Sequence, residues 1–176
     1  MFRSIKFAWK YKKAWFYMAL LRNKSRFSRT ILGGYWFGIS NLLSIGLISL
    51  FYSVILQVPD RFNYILYMGI GMSLWHSFSH SISSADTIID GNANKLNAFP
   101  LNPIFYACES WVFAIFNFLQ TFTFVIIFLS LIKVKILLNI FIYSLPSIIN
   151  FCVGMFWIPL IVSIIISKFR DLKQLI

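Results

Sequence analysis

Long apolar segments dominate the hydrophobic pattern of this chain, and shorter polar stretches separate them. The first runs from Gly34 to Gln57, about 24 residues without a charged side chain. Roughly 20 apolar residues are enough for a helix to cross the hydrocarbon core of a bilayer. Further segments of this kind cover 64–85, 106–132 and 137–167. The pattern predicts an all-α fold: a polytopic membrane helix bundle with about four transmembrane helices.

Two of these segments have features of their own. The second is the least apolar, with His76, His80 and several serines, and such groups need partners inside a membrane. We therefore expect it to face other helices or a wet cavity. The fourth contains Pro146 and Pro159, and its length of about 30 residues is sufficient for a short interfacial helix followed by a kinked span.

Residues 1–30 differ from the segments that follow. Between Phe2 and Leu21, cationic residues are mixed with aromatic ones at roughly helical spacing, without Pro or Gly. This composition is typical of an amphipathic helix in the membrane interface, with aromatic rings at headgroup depth and cations near anionic lipid. We predict a basic interfacial segment at 1–30 and a transmembrane domain at 31–176.

The charge distribution indicates an orientation. The chain is 59% hydrophobic and only 12% charged, which excludes an ordinary soluble domain. Its net charge of +11 would suit a nucleic-acid partner, but nine of its 16 basic residues precede the first apolar segment. Such a bias predicts a cytoplasmic N-terminus and a cytoplasmic 86–105 loop in a multi-pass inner-membrane protein. Lys133 and Lys135 oppose this assignment, because it puts them in a short loop on the outer side. Since most of the positive charge is explained by membrane orientation, we expect no nucleic-acid partner.

Few residues suggest chemistry. His76 and His80 lie at i and i+4, the spacing of a metal site on one helix, but the chain has no third histidine. The pair can line a polar cavity or form interhelical hydrogen bonds. The five acids are scattered, and no nucleophile elbow or phosphate-binding loop is present. We predict no catalytic residue, no metal and no cofactor, so any ATP hydrolysis would belong to a separate chain.

Aromatic residues near the ends of the predicted spans allow two interpretations. An aromatic belt at the interface is the ordinary one. The other is a path for sugar rings, which stack on aromatic faces while neighbouring polar groups bind their hydroxyls. The candidate substrate path comprises Tyr35, Trp36, Trp75, His76, Phe78 and His80.

Three short stretches resemble one known family, the transmembrane permease subunits of type-2 ABC exporters for polysaccharides or polyol phosphates (O-antigen, capsule and teichoic acid). Arg26–Trp36 is similar to the basic segment and Leu-Gly-Pro-x-Trp motif at the first span, with Gly34 in place of Pro. Tyr67–Trp75 is similar to the Tyr-x-x-Gly-x-x-x-Trp motif of the second span. Ser167–Leu172 is similar to the Arg-Phe-Arg-Asp-Ile motif after the fourth, with Lys168 at the first Arg.

The resemblance implies a permease subunit that forms a homodimer in membrane lipid, binds an ABC ATPase subunit and exports a lipid-linked glycan. The family has six spans, so we expect this chain to be truncated after the fourth. A membrane structural or immunity-type protein without transport activity is the alternative. A membrane enzyme acting on lipid-linked sugars is a further one, although no convergent acid or histidine set supports it. The resemblance also implies an ATPase contact in the cytoplasmic loop, at Asp90, Asn92, Asn94, Lys95, Phe99 and Pro100.

Overall fold

The computed structural model of the protein describes residues 2–26, 30–31, 33–92, 102–132, 144–169, 171 and 174. Within these ranges the chain is helical and forms no strand, which confirms the predicted all-α class. A short 3₁₀ helix, Asp90–Asn92, follows the fifth α-helix. The α-helices are α1 (Phe2–Lys10), α2 (Lys12–Arg26), α3 (Tyr35–Ile55), α4 (Arg61–Ser83), α5 (Asp86–Ile89), α6 (Pro103–Ile132) and α7 (Leu145–Lys168).

Among the described residues, three helices are both long and apolar enough to cross a membrane: α3, α6 over Pro103–Leu131, and α7. They match three of the predicted segments, and they support a multi-pass membrane protein. The remaining long helix, α4, corresponds to the second predicted segment. It has 23 residues, a length of about 35 Å at 1.5 Å per residue. Its length suffices to cross, but its polar residues keep it below the apolarity of the others, so its crossing stays a prediction.

The fourth predicted segment begins in part outside the described residues. Residues 133–143, where we expect a short interfacial helix, are not among them. From Leu145 onward, α7 continues through Pro159 to Lys168. Pro146 lies in the first turn of α7, where the missing N–H would have no intrahelical partner in any case.

The central helix of the bundle is α6, which contacts α1 to α5 and α7. One face packs Phe118 and Phe122 against Met155 of α7, with Phe78 of α4 against the same cluster. Another packs Val125 and Leu129 against Ile45 of α3. The apolar core therefore follows α6 along most of its length, and the other helices surround it.

The outward faces of α3 and α7 are apolar as well. Only 22% of the most apolar window of α3 and 17% of that of α7 are buried within the chain, against 50% for α6. Leu47 and Phe51 on α3, with Ile161 and Ile164 on α7, are among the exposed side chains. Exposed apolar surface of this extent fits a lipid environment, because contact with water would be unfavourable.

The N-terminal segment forms two helices, where we expected one from Phe2 to Leu21. The break falls at Tyr11, and α2 continues to Arg26. The indole Nε1 of Trp15 donates to the carbonyl oxygen of Ala8 at 2.9 Å, which ties α2 to α1. Ala19 is fully buried against Val112 and Phe113 of α6. The segment is thus docked on the bundle by its own side chains.

The chain reverses between α3 and α4 over a short turn. Asp60 precedes α4 and accepts a hydrogen bond from the backbone N–H of Asn63 at 3.2 Å. An aspartate at this position satisfies an amide that has no partner within the helix. On the other side of α3, Gly33 adopts φ +56°, a left-handed conformation that glycine tolerates without strain.

Candidate functional site

The main polar feature of the described bundle is a cavity between α3, α4 and α6, which we call the polar cavity. Its volume is about 100 Å³. A site needs roughly 10–15 Å³ in this measure to hold one water, so the polar cavity has room for several water-sized groups. It is lined by Phe37 and Asn41 of α3, His76, Ser77 and His80 of α4, and Ala114 and Asn117 of α6.

Both histidines of the i, i+4 pair line this cavity, in agreement with the expectation that α4 faces other helices. The Nε2 atom of His76 is buried without a hydrogen-bond partner in the described part of the chain. The His80 ring meets the ring of Phe37 edge to face, with centroids 6.2 Å apart. The guanidinium of Arg26 lies 4.9 Å from the centre of the Phe37 ring. A cation from α2 therefore stands near the edge of the polar cavity.

Sequence reasoning did not identify the amides and hydroxyl that α3 and α6 contribute. Asn41 donates through Nδ2 to the hydroxyl of Thr121 at 2.9 Å, which joins the two helices. Asn117, one turn earlier on α6, is 3% exposed. Neither atom of its amide has a partner among the described residues, and Oε1 of Gln120 also lacks one. Isolated amides in apolar helices are a recognisable signal of interhelical bonding.

Most serines of the bundle are satisfied differently. Ser73 donates to the carbonyl oxygen of Ile70, and Ser77 to that of Ser73, within α4. Ser49 on α3 donates to Ile45 in the same way. Bonds to the preceding turn are a standard means for hydroxyls to survive inside a helix. These serines do not need the partners on other helices that we expected from the sequence.

The aromatic members of the predicted substrate path do not join the histidines. Tyr35, Trp36 and Trp75 are 65%, 52% and 65% exposed on the outside of the bundle. Phe78 packs in the core, with its ring centroid 6.0 Å from that of Phe151. Within the described chain, the six predicted residues therefore do not line one continuous path.

The predicted ATPase contact lies partly outside the described residues, which exclude Asn94, Lys95, Phe99 and Pro100. Asp90 begins the 3₁₀ helix after α5. Asn92 ends it and is 9% exposed. Its Nδ2 donates to the carbonyl oxygens of Thr87 at 2.8 Å and Ile88 at 3.3 Å. The Asn92 amide thus stabilises the turn from within.

A larger concavity of about 620 Å³ lies between α1, the start of α6 and α7. We call it the tryptophan groove, because Trp9, Trp15, Trp111 and Trp157 line it. The Nε1 atom of Trp111 donates to the carbonyl oxygen of Cys152 at 2.8 Å. The Nε1 atom of Trp15 donates to the carbonyl oxygen of Ala8. The indole N–H groups of Trp15 and Trp111 are therefore both satisfied within the chain. The groove is correspondingly apolar.

Metal-binding clusters are not found in the described part of the chain, where no three His, Cys, Asp or Glu residues converge. Cys108 and Cys152 are free thiols on α6 and α7. No family model matches the chain, and searches of the curated proteins and of the solved structures find no match either.

Proposed function

We propose that this chain is the permease subunit of an ATP-driven exporter that moves a lipid-linked polysaccharide across the cytoplasmic membrane. The observation that carries the proposal is the helical insertion between α4 and α6, formed by α5 and the 3₁₀ helix. The resemblance to type-2 ABC exporters implies an ATPase contact in this part of the sequence. Its geometry is suited to transmitting a movement into the bundle.

The insertion is packed firmly against two long helices. Its short helix α5 contacts both α6 and α7. Ile88 is 5% exposed, and the Asn92 amide fixes the turn that follows. A subunit that pushed on the insertion would therefore displace α6 and α7, because a well-packed contact shifts as a unit instead of deforming.

The N-terminal helices support the same proposal. The basic helix α2 packs against the N-terminal half of α6. The guanidinium of Arg22 lies 4.5 Å from the centre of the Phe113 ring. Arg26 stacks on Phe37 near the start of α3. Cations that lie on the membrane surface and also contact α3 and α6 can couple a movement at the interface to the first span. Such coupling is what the exporter proposal requires of this segment.

The experiment that tests the proposal is co-purification with an ATPase. The exporter proposal predicts an ABC ATPase gene beside the gene for this chain. The two chains are expressed together, and the membrane complex is isolated in detergent through a tag on the permease. We expect the ATPase to co-purify with the unaltered chain. Lys95→Glu, in the predicted contact, should abolish recovery of the ATPase.

Arg61→Glu is the matched control, since Arg61 is exposed at the other end of α4 and undergoes the same reversal of charge. Its complex should survive. Failure of the unaltered chain to retain any ATPase would favour the structural or immunity-type alternative. Equal loss of the ATPase with both variants would contradict the assignment of the contact to the loop.

A further inference from the structure

We propose that the polar cavity between α3, α4 and α6 is a binding site for a neutral hydroxylated ligand, a small polyol such as glycerol or a polyol unit of similar size. The site lies within a single chain, and it does not depend on the exporter proposal. Several polar atoms at the cavity lack hydrogen-bond partners among the described residues, and a hydroxylated ligand would satisfy them.

The first step concerns Asn117. Its side chain is 3% exposed and lines the cavity, yet both Nδ2 and Oδ1 are without hydrogen-bond partners among the described residues. Leaving a buried donor or acceptor unpaired costs about 1–3 kcal/mol for each group. Asn41, the other amide lining the cavity, has Thr121 as its partner at 2.9 Å. The cavity thus contains one amide that is paired within the protein and one that is not.

The second step selects the chemistry of the ligand. An amide presents N–H donors and a carbonyl acceptor side by side, so its complement must both accept and donate. A hydroxyl group does both. A phosphate or carboxylate would accept from Nδ2 but repel Oδ1, and a metal cation would bind Oδ1 and leave the Nδ2 protons unpaired. Asn117 therefore favours a neutral hydroxylated ligand over an ion of either sign.

A second lining group points to the same class. His76, which also lines the cavity, presents an unpaired Nε2. A neutral imidazole nitrogen can donate or accept according to its tautomer, so a second hydroxyl would find a partner there. Arg26 stacks on the Phe37 ring at the edge of the cavity, and its charge opposes binding of a cation there.

Size and access are consistent with a small polyol. The volume of about 100 Å³ exceeds what one water needs by several fold. The aromatic ring of Phe37 and the methyl group of Ala114 also line the cavity, and such surfaces suit the C–H groups of a polyol. Phe37, Ser77 and His80 are only partly buried, which leaves a route to the cavity past these three side chains.

Saturation-transfer difference NMR on the purified full chain in detergent micelles tests the proposal, with glycerol and erythritol as probes. We expect saturation transfer to the polyol C–H protons with the unaltered chain. Asn117→Leu, which keeps the branched shape of the side chain but removes donor and acceptor, should reduce the transfer at least tenfold. Asn150→Leu is the matched control, because Asn150 is an exposed amide on α7. It should leave the transfer unchanged.

His76→Phe serves as the second variant in case Asn117→Leu does not fold, and it should weaken binding because it removes Nε2. Helical circular dichroism and gel filtration establish folding for each variant. Equal transfer to the polyols in all variants would overturn the site assignment. The unaltered chain could instead show no transfer to the polyols, together with water cross-peaks to the amide protons of Asn117. That result would mean that water alone fills the cavity, and it would overturn the proposal.

Discussion

Gly38 is the position where the packing of α3 on α6 is most sensitive to a single methyl group. A Cβ atom added there would lie 2.9 Å from Cε2 of Phe124 and 3.0 Å from the carbonyl oxygen of Gln120, and closer still to Cδ2 of Phe124. The contacts with the two Phe124 ring atoms can be relieved by rotating the ring. The contact with the carbonyl oxygen of Gln120 cannot, because that oxygen belongs to the backbone of α6. Gly38→Ala must therefore move α3 away from α6.

The magnitude follows from the cost of overpacking a close-packed interface, about 1–3 kcal/mol. A change of 1.4 kcal/mol corresponds to a tenfold change in the equilibrium constant for unfolding. The higher helix propensity of alanine offsets up to about 1 kcal/mol of this cost. With the full offset, we expect a net loss of about 0–2 kcal/mol in the free energy of unfolding, and a stability about 1–3 kcal/mol below that of an alanine variant without the clash.

The matched control is Gly46→Ala, two turns further along α3, where an added Cβ meets nothing within 4 Å. It gains the same helix propensity without the clash and should be neutral or slightly stabilising. Unfolding of the purified chain by SDS in mixed micelles, followed by circular dichroism, measures both variants. Equal stability of the two within 0.5 kcal/mol would refute the close approach of α3 to α6.

A double-mutant cycle separates the two contacts of Gly38. Phe124→Ala removes both ring atoms, Cδ2 and Cε2, that an added Cβ would meet, and it should relieve part of the strain in the Gly38→Ala background. The contact with the Gln120 carbonyl oxygen at 3.0 Å remains, so relief should be incomplete. We expect a coupling energy of about 0.5–1.5 kcal/mol, and strict additivity would show that Phe124 does not limit the approach.

Three further predictions concern single hydrogen bonds, each with its own check. Asn41→Ala should cost about 1 kcal/mol of unfolding free energy and almost nothing in a Thr121→Ala background, because the two side chains pair at 2.9 Å; additive losses would contradict the pairing. Trp15→Phe should release α1 and increase proteolysis before residue 11, whereas Trp9→Phe should not, since Trp9 is 70% exposed. Asp60→Ala should cost about 1 kcal/mol and speed hydrogen exchange at residues 61–64, and unchanged exchange there would show that the cap contributes little.

The apolar pattern predicted the fold class and the three strongly apolar helices, because lipid makes the total apolarity of a helix the decisive quantity. Total apolarity alone does not decide whether the second segment crosses the membrane. With His76, His80 and its serines, α4 falls below the apolarity of the others, although several of its hydroxyls are satisfied by their own helix. Composition does not reveal that kind of internal compensation.

The site was predicted in part. The i, i+4 spacing correctly placed His76 and His80 on one face that lines a polar cavity. Asn41 and Asn117 were missed because they are far apart in the sequence, and only the crossing of α3 and α4 over α6 brings them together. The aromatic candidates Tyr35 and Trp75 face outward. A shift of one residue along a helix rotates a side chain by about 100°, which is enough to decide whether a ring meets lipid or a cavity.

Site-directed labelling tests the membrane arrangement on which the whole account depends. Single cysteines replace Lys24, Pro59, Ser83 and Ser167, which are exposed at the helix ends, in a chain whose native cysteines are changed to alanine. A maleimide that cannot cross membranes is applied to intact cells, and then to permeabilised ones. The account predicts that only the cysteine at 59 reacts in intact cells, and that the other three react after permeabilisation. Labelling at 83 in intact cells would contradict the crossing of α4, and labelling at 24 would contradict the cytoplasmic N-terminus.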